Sequence, residues 1–106
     1  METALKALAE PNRRRILTLV RDEELTAGEI ASHFEVSRPA VSQHLTVLKE
    51  AGLVHERRNG TRRLYSVRPE GLTDLRAFLE GFWDAKLQAL KREAEREERK
   101  KRGKHD

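Results

Sequence analysis

Four arginines crowd around one turn sequence in the middle of the chain, and no acidic residue lies among them. The segment is Arg57-Arg58-Asn59-Gly60-Thr61-Arg62-Arg63. Like charges at this density repel one another unless an anion neutralises them, and phosphate groups are suitable anions. The side chains expected to bind phosphate, or to enter the minor groove of a nucleic acid, are Arg57, Arg58, Thr61, Arg62 and Arg63. The alternative is a solvated loop that repels itself.

The segment that precedes this turn predicts a helix over residues 37–51 with one apolar and one polar side. Val41, Leu45 and Leu48 repeat at i, i+4 and i+7, so this side packs inward. Short or polar side chains occupy the other side and the N-terminal tip, and such side chains suit contact with base edges in a DNA major groove. They are Ser37, Arg38, Pro39, Ser42, Gln43 and Thr46. Acidic Glu50 shares this side two turns further on, where the helix would leave the groove.

A second helix directly upstream completes a helix-turn-helix pattern. Thr26 and Glu29 have the spacing of a capping box, which opens a helix that carries Ile30, Ala31 and Phe34 on one side. A tight turn at residues 35–36 then leads to Ser37, a good N-cap residue. Two helices joined by a short turn and followed by a basic hairpin place the second helix in the major groove. This neighbour favours DNA binding over a merely solvated loop for residues 57–63.

The remaining elements follow from periodicity and turn residues. We predict a short helix over residues 3–9, a second helix that begins at Pro11, strands at 53–58 and 62–67 around Asn59-Gly60, and a long helix from about 72 past 95. The fold is then mainly α with a small β-hairpin, in the order α-α-α-α-β-β-α of a winged helix-turn-helix. We expect one domain over residues 1–98 and a charged, frayed tail over 99–106. Residues 13–15, all Arg, are interpreted as a solvated face with apolar stems against the protein.

The last helix presents a broader apolar stripe than so small a core covers, and the first helix adds two leucines. We expect an isologous dimer that buries this surface. The predicted interface residues are Leu5, Leu8, Leu79, Phe82, Trp83, Leu87 and Leu90. The alternative is that the long helix recruits a different protein.

Composition limits the other classes of function. The chain has 106 residues, a formal net charge of +4 and a pI near 9.8, which favours a polyanionic partner. It has no Cys, so disulfides, thiolate metal sites and thiol redox sensing are excluded. No stretch approaches the roughly 20 apolar residues of a membrane span, and residues 1–4 lack a signal pattern, so we expect a cytoplasmic protein without membrane contact. We find no nucleophile–base spacing, phosphate loop or paired-acid motif, and we do not expect an enzyme.

Four segments of the sequence resemble the ArsR-family bacterial repressors. They are Leu8-Ala9-Glu10-Pro11-Asn12-Arg13-Arg14-Arg15-Ile16-Leu17, Leu25-Thr26-Ala27-Gly28-Glu29-Ile30-Ala31, Ser37-Arg38-Pro39-Ala40-Val41-Ser42-Gln43-His44-Leu45 and Leu48-Lys49-Glu50-Ala51-Gly52-Leu53-Val54. The similarity extends over roughly residues 3–90. It implies a winged fold that dimerises through its first and last helices, and binding to a double-stranded operator. It also implies release by an effector in many members and frequent repression of the member's own operon. The small-molecule or protein effector of this chain is left open.

The sequence departs from the metal-sensing members of that family. Those members place Cys pairs in the third helix, where this chain has residues 25–29, or an Asp-x-His pattern with further His on the last helix. Residues 72–102 contain neither His nor Cys. The four histidines are His33, His44, His55 and His105, a scatter that gives no four-ligand zinc motif. We therefore expect no metal and no cofactor, and we interpret His44 as a packed, helix-orienting residue.

Two alternatives to a sequence-specific repressor stay open at this point. One is a non-specific architectural DNA-binding protein, because charge alone gives sequence-independent affinity. Such a protein would not need the polar side of helix 37–51. The other is a metal-responsive repressor whose site has an unrecognised pattern.

Overall fold

The described part of the chain contains five α-helices and one β-hairpin. The computed structural model describes the backbone of residues 1–104 and the side chains of residues 1–100. In order, the elements are α1 (Glu2–Leu8), α2 (Pro11–Asp22), α3 (Ala27–Ala31), α4 (Arg38–Glu50), β1 (Val54–Asn59), β2 (Arg62–Val67), a 3₁₀ helix (Pro69–Leu72) and α5 (Thr73–Lys104). The predicted order α-α-α-α-β-β-α is confirmed. The two strands are antiparallel neighbours.

Short-range capping interactions fix where the helices begin. Pro11 lies in the first turn of α2, where its missing N–H costs nothing, and the Glu10 carboxylate accepts the Arg13 N–H. Thr26 and Glu29 form the predicted reciprocal capping box of α3. Ser37 Oγ accepts the Ala40 N–H at 3.3 Å and caps α4. The structure confirms these predicted helix starts. They were predictable because each depends on residues no more than three positions apart.

One apolar core holds α1 to α4 and the base of the hairpin together. Its fully buried side chains include those of Ile16, Val20, Ile30, Leu53 and Val54, and the predicted inward side of α4 joins them. Each such aliphatic side chain contributes about 1.5–3 kcal/mol on burial. The buried side chains of α4 are those of Val41, Leu45 and Leu48. Packing of this kind turns the polar side of α4 outward.

The hairpin turn lies one residue further along than Asn59-Gly60 suggests. Asn59 belongs to β1 and pairs with Arg62, so the loop residues are Gly60 and Thr61. Gly60 has a φ of +67°, and a positive φ at the first loop position is typical of a type II′ hairpin turn. The predicted strand 53–58 is therefore corrected to 54–59, while 62–67 is confirmed.

A close backbone approach joins the end of α4 to the 3₁₀ helix. Gly52 follows α4 with a φ of +75° and provides the predicted left-handed C-terminal residue. A Cβ placed on Gly71 would lie 1.9 Å from the Gly52 carbonyl oxygen. Arg68 N–H donates to the Leu53 carbonyl at 2.8 Å in the same region. Only glycine at position 71 permits this approach.

The chain divides into a unit of residues 1–75 and a second unit that begins at Arg76. Within the second unit, Phe78 and Phe82 make an edge-to-face ring contact with centroids 5.0 Å apart. The helix continues through Lys104, while the last two residues of the predicted tail, 105 and 106, lie outside the described residues. The boundary between residues 1–98 and 99–106 stays a prediction. None of the described helices combines the length and apolar character needed to cross a bilayer.

Candidate nucleic-acid interface

The polar side of α4 faces solvent. All the predicted contact residues of this helix are exposed: Ser37, Arg38, Pro39, Ser42, Gln43 and Thr46. Thr46 Oγ1 donates to the Ser42 carbonyl at 3.0 Å, and Ser37 caps the helix. Among the predicted contact residues, Arg38 and Gln43 have the long polar side chains. Val47 is also 38% exposed, one turn after Gln43. The sequence analysis missed it, although its place outside the 41–45–48 repeat indicated exposure.

The register of the hairpin divides its four arginines between two faces. Side chains directly opposite each other on paired strands share a face of the sheet. Arg58 pairs with Arg63 on one face, and the neighbouring pair on that face is Glu56 with Tyr65. Arg57 pairs with Leu64 on the other face. The sequence analysis treated these four cations alike, but their surroundings differ.

A groove of about 590 Å³ separates α4 from the first of these faces. Its lining residues are Ser42, Leu45, Thr46, Lys49, Glu50, Glu56, Arg63 and Tyr65. Burial raises the pKa of the Tyr65 phenol, and the negative charge of Glu56 adds to this effect. The phenol is therefore a hydrogen-bond donor at neutral pH. A smaller cleft of about 340 Å³ links Thr61, Arg62 and Arg63 to Arg38 at the start of α4.

Three of the four hairpin arginines form ion pairs, two of them with acids from outside the hairpin. Arg57 makes two contacts of 2.9 Å with the carboxylate of Glu24, which lowers the pKa of that carboxyl group. Arg62 Nη2 lies 2.9 Å from Glu29 Oε1. Arg63 Nε lies 3.5 Å from a carboxylate oxygen on β1. Residues 57–63 themselves contain no acid, and the fold brings the acids that pair with Arg57 and Arg62 from before and within α3. Exposed pairs of this kind stabilise little but orient the side chains.

Arg58 differs from the other hairpin arginines. It is exposed at the end of β1, and no described side chain forms an ion pair with it. A guanidinium group without an ion-pair partner in the protein binds an external anion without first giving up a carboxylate.

Backbone pairing fixes the hairpin to the start of the helix-turn-helix. Tyr65 N–H donates to the Leu25 carbonyl at 2.8 Å, and Leu25 N–H donates back to the Tyr65 carbonyl at 3.1 Å. The Arg57–Glu24 pair lies next to this bridge in sequence. The hairpin is thus held at two points to the segment that leads into α3, and its position relative to α4 is defined.

Arg13 to Arg15 lie on α2 and contact neighbouring segments of the chain. Arg13 Nε donates to the Ala7 carbonyl at 2.5 Å, and its Nη1 lies 3.5 Å from His44 Nδ1 on α4. Arg14 donates to the Leu8 carbonyl at 2.7 Å. Arg15 lies over the ring of Phe34, 4.3 Å from its centroid. Arg14 and Arg15 are exposed, as the solvated-face interpretation expects, while Arg13 is partly buried.

His44 has contacts that connect α4 to α2. Besides the Arg13 contact, its Nε2 lies 3.7 Å from Glu10 Oε2 at the start of α2. These contacts support the interpretation of His44 as a helix-orienting residue. His55 instead shares a 2.7 Å hydrogen bond with Ser66 across the hairpin.

The described residues contain no group of three or more His, Asp or Glu side chains able to hold a metal ion. His33 is exposed, and its backbone carbonyl accepts a hydrogen bond from Arg15. His105 lies outside the described residues. Independence from metal stays a prediction.

Within α5, the apolar stripe is open to solvent. The exposed fractions of its predicted interface residues lie between 42% for Leu79 and 62% for Trp83. In the first unit Leu5 is 40% exposed, while Leu8 is partly buried against the core. Large apolar side chains exposed along one helix, as in α5, are typical of a surface that another molecule covers.

Comparison with known proteins gives matches over most of the chain. Residues 10–56 match the family described as bacterial regulatory protein, arsR family. The HTH-type transcriptional regulator Rv2034 of Mycobacterium tuberculosis is 49% identical over 86 residues, which cover 81% of this chain and 80% of that protein. The transcriptional repressor SdpR of Bacillus subtilis is 40% identical over 74 residues, which cover 70% and 82%. The solved homodimeric winged helix-turn-helix DNA-binding domain of Mb0332 from Mycobacterium bovis aligns with a TM-score of 0.63 at 34% identity and covers 78% and 77%.

Proposed function

Because the chain belongs to the arsR family of bacterial regulatory proteins, we propose that it is a repressor that binds a palindromic operator in double-stranded DNA as a homodimer. Helix α4 enters the major groove, and the wing (residues 57–63) lies on the backbone or in the minor groove. The observation that carries this proposal is the exposed polar face of α4 beside a basic wing that is fixed to the same unit.

The α4 face has the chemistry needed to recognise bases. Arg38 stands at the N-terminal tip, where a recognition helix reaches base edges first, and an Arg side chain pairs with two acceptors of guanine. Gln43 is able to pair with adenine in the same way. The exposed methyl groups of Val47 suit contact with the methyl group of thymine. Ser42 and Thr46 are short and allow close approach of the helix to the groove floor.

The wing has the chemistry needed to hold the DNA backbone. Arg58 is exposed and ready for a phosphate, whereas Arg62 and Arg63 would exchange a carboxylate for one. Thr61 lies in the turn, where its hydroxyl and backbone are accessible. Arg57 joins them as a proposed contact, with its pairing to Glu24 restricting its reach.

A dimer explains the apolar stripe of α5 and matches a palindromic site. In the proposed interface an isologous contact buries Leu5, Leu8, Leu79, Phe82, Trp83, Leu87 and Leu90. Two recognition helices related by a twofold axis bind half-sites about one helical turn, roughly 34 Å, apart. The relative SdpR is named a transcriptional repressor, and the Mb0332 domain is described as homodimeric.

The proposal predicts a discrete footprint. When genomic fragments are mixed with the purified protein and the bound ones are sequenced, we expect enrichment of a short palindrome, with nuclease protection confined to it. An architectural protein would instead protect all sequences uniformly, because phosphate contacts carry no sequence information. Uniform protection would reject sequence-specific repression and favour that alternative. A reporter gene placed behind the recovered operator should be silenced when the protein is expressed.

Substitutions in the wing and in α4 should affect binding differently. Alanine at Arg58, Arg62 or Arg63 should weaken binding to all sequences alike and reduce the salt slope by about one unit per lost contact. Alanine at Arg38 or Gln43 should instead relax discrimination by about 1–3 kcal/mol at one or two base positions. Both effects are measured by titrating operator variants at several salt concentrations.

A distant arginine provides the matched control for those variants. Arg21 pairs with Asp22 at the end of α2, so Arg21→Ala removes the same charge away from the proposed interface. It should leave the salt slope unchanged. Base-specific loss from the wing combined with uniform loss from α4 would reverse our assignment of the two elements.

Divalent metals should not change operator affinity. Metal control requires a site whose affinity differs between the free and DNA-bound states, and thiolate ligands are absent from the sequence. Affinity in chelator should therefore equal affinity in micromolar Zn²⁺, Ni²⁺ or Cu²⁺ at fixed ionic strength. A weakening of about tenfold by one ion, abolished by replacing His33 or His55, would reveal a metal-responsive repressor instead.

A further inference from the structure

One carboxylate lies between α4 and the wing, and two cationic side chains form ion pairs with it. Glu56 Oε2 accepts from Lys49 Nζ at 3.3 Å, and Glu56 Oε1 lies 3.5 Å from Arg63 Nε. Tyr65 lies opposite Glu56 in the register of the hairpin and lines the same groove. The Glu56 side chain is only 21% exposed, so these partners replace much of its hydration.

The two cations come from different elements of the unit. Lys49 lies in the last turn of α4, and Arg63 lies on β2 beside the wing tip. Tyr65 is the residue whose backbone pairs with Leu25 before α3. Glu56 therefore connects the recognition helix, the wing and the strand that fixes the wing in place.

A carboxylate in this place opposes DNA binding by its charge. It lines the groove between the two elements that are proposed to contact DNA, and its negative charge is repelled by the phosphate groups. Glu50 is a second acid in the same groove and provides a comparison with Glu56. It lines the same groove from α4, yet no described side chain forms an ion pair with it. The two acids share a groove and differ in their contacts.

We propose that Glu56 is a positioning residue, which sets the wing against α4 and holds Lys49 and Arg63 where both meet the DNA backbone. The inference rests on the proposed DNA-binding function. Long basic side chains lose rotamer freedom when they bind a phosphate, and a carboxylate that orders them beforehand removes part of that cost. The gain in order outweighs the added repulsion, so the net effect of Glu56 on affinity is favourable.

The test compares Glu56→Gln with Glu50→Gln in the full-length protein. Each variant removes one negative charge from the same groove with almost no change of shape. We expect Glu50→Gln to tighten DNA binding by roughly twofold to fivefold, because it removes repulsion alone. Glu56→Gln should weaken binding by about tenfold, because Lys49 and Arg63 lose their shared anchor. Affinities are measured on the selected operator and on a random-sequence duplex.

A double-mutant cycle separates positioning from a general loss of stability. If Glu56 acts through Arg63, Arg63→Ala should cost much less affinity in the Glu56→Gln background than in the wild-type protein. A purely structural defect would lower the thermal midpoint of Glu56→Gln and leave the cost of Arg63→Ala unchanged. Equal tightening by Glu50→Gln and Glu56→Gln would overturn the inference, as would an additive cycle. Lack of operator preference in the wild-type protein would reject the proposed function alone, since opposite effects of the two variants on random-sequence duplex would still support the role of Glu56.

Discussion

Gly71→Ala is expected to lower the free energy of unfolding by about 3 kcal/mol, a large part of the stability of a domain this size. The added Cβ would lie 1.9 Å from the Gly52 carbonyl oxygen and 2.7 Å from the Gly52 carbonyl carbon. Both obstructing atoms are backbone, so no change of rotamer relieves the clash. The 3₁₀ helix would have to move away from the end of α4, where Leu53 is fully buried. Urea unfolding of the purified variant measures the loss.

Gly81→Ala is the matched control for this prediction. A Cβ at Gly81 meets no atom within 4 Å, and the residue lies inside α5. Replacement of an exposed helical glycine by alanine should raise helix stability by up to about 1 kcal/mol. The same change of residue type is therefore expected to have opposite signs at the two positions. Equal stabilities of the two variants would show that the approach of Gly71 to Gly52 is not as close as the structure has it.

The parts of the fold predicted correctly from sequence are those fixed by neighbours in the chain. The capping box of Thr26 and Glu29 and the N-cap at Ser37 each involve residues three positions apart. The inward side of α4 follows from a helical repeat within eight residues. Local steric and hydrogen-bonding rules suffice for such features.

The Asn59-Gly60 sequence correctly predicts that a hairpin turn lies here but gives its position one residue too early. Asn-Gly is the preferred pair of a type I′ turn, but here Gly60 takes the first loop position and Asn59 joins the strand. Leu25 pairs with Tyr65 and holds β2 in position, which fixes the register from outside the hairpin. A contact between residues 40 positions apart is not visible in the turn sequence.

The electrostatics of the candidate site could not be predicted for the same reason. Arg57 and Glu24 are 33 residues apart in sequence, as are Arg62 and Glu29. The cluster of arginines at 57–63 is therefore visible in the sequence, while the pairing of Arg57 and Arg62 with distant acids is not. The role of Arg13 was missed likewise, because His44 lies 31 residues away. Charge at a site is predictable from composition, but charge pairing requires the fold.

Leu87→Arg is expected to convert the proposed dimer into a monomer. Leu87 is 60% exposed on the apolar stripe of α5, and in an isologous interface each substitution occurs twice. Loss of two buried leucines, together with two arginines placed in an apolar contact, should raise the dimer dissociation constant by at least about 100-fold. Light scattering coupled to size exclusion should give the mass of one chain, where the wild-type protein gives two.

Gln88→Arg is the control, since it introduces the same side chain at the next position, on the polar side of α5. It should leave the mass that of a dimer. Operator affinity should follow the mass, because a monomer engages one half-site and loses the binding energy of the second. Leu87→Arg should therefore reduce affinity for the full palindrome strongly and affinity for an isolated half-site only slightly. A Leu87→Arg protein that stays dimeric would show that α5 does not supply the interface, and equal losses on both DNA sites would show that the two half-sites are not bound together.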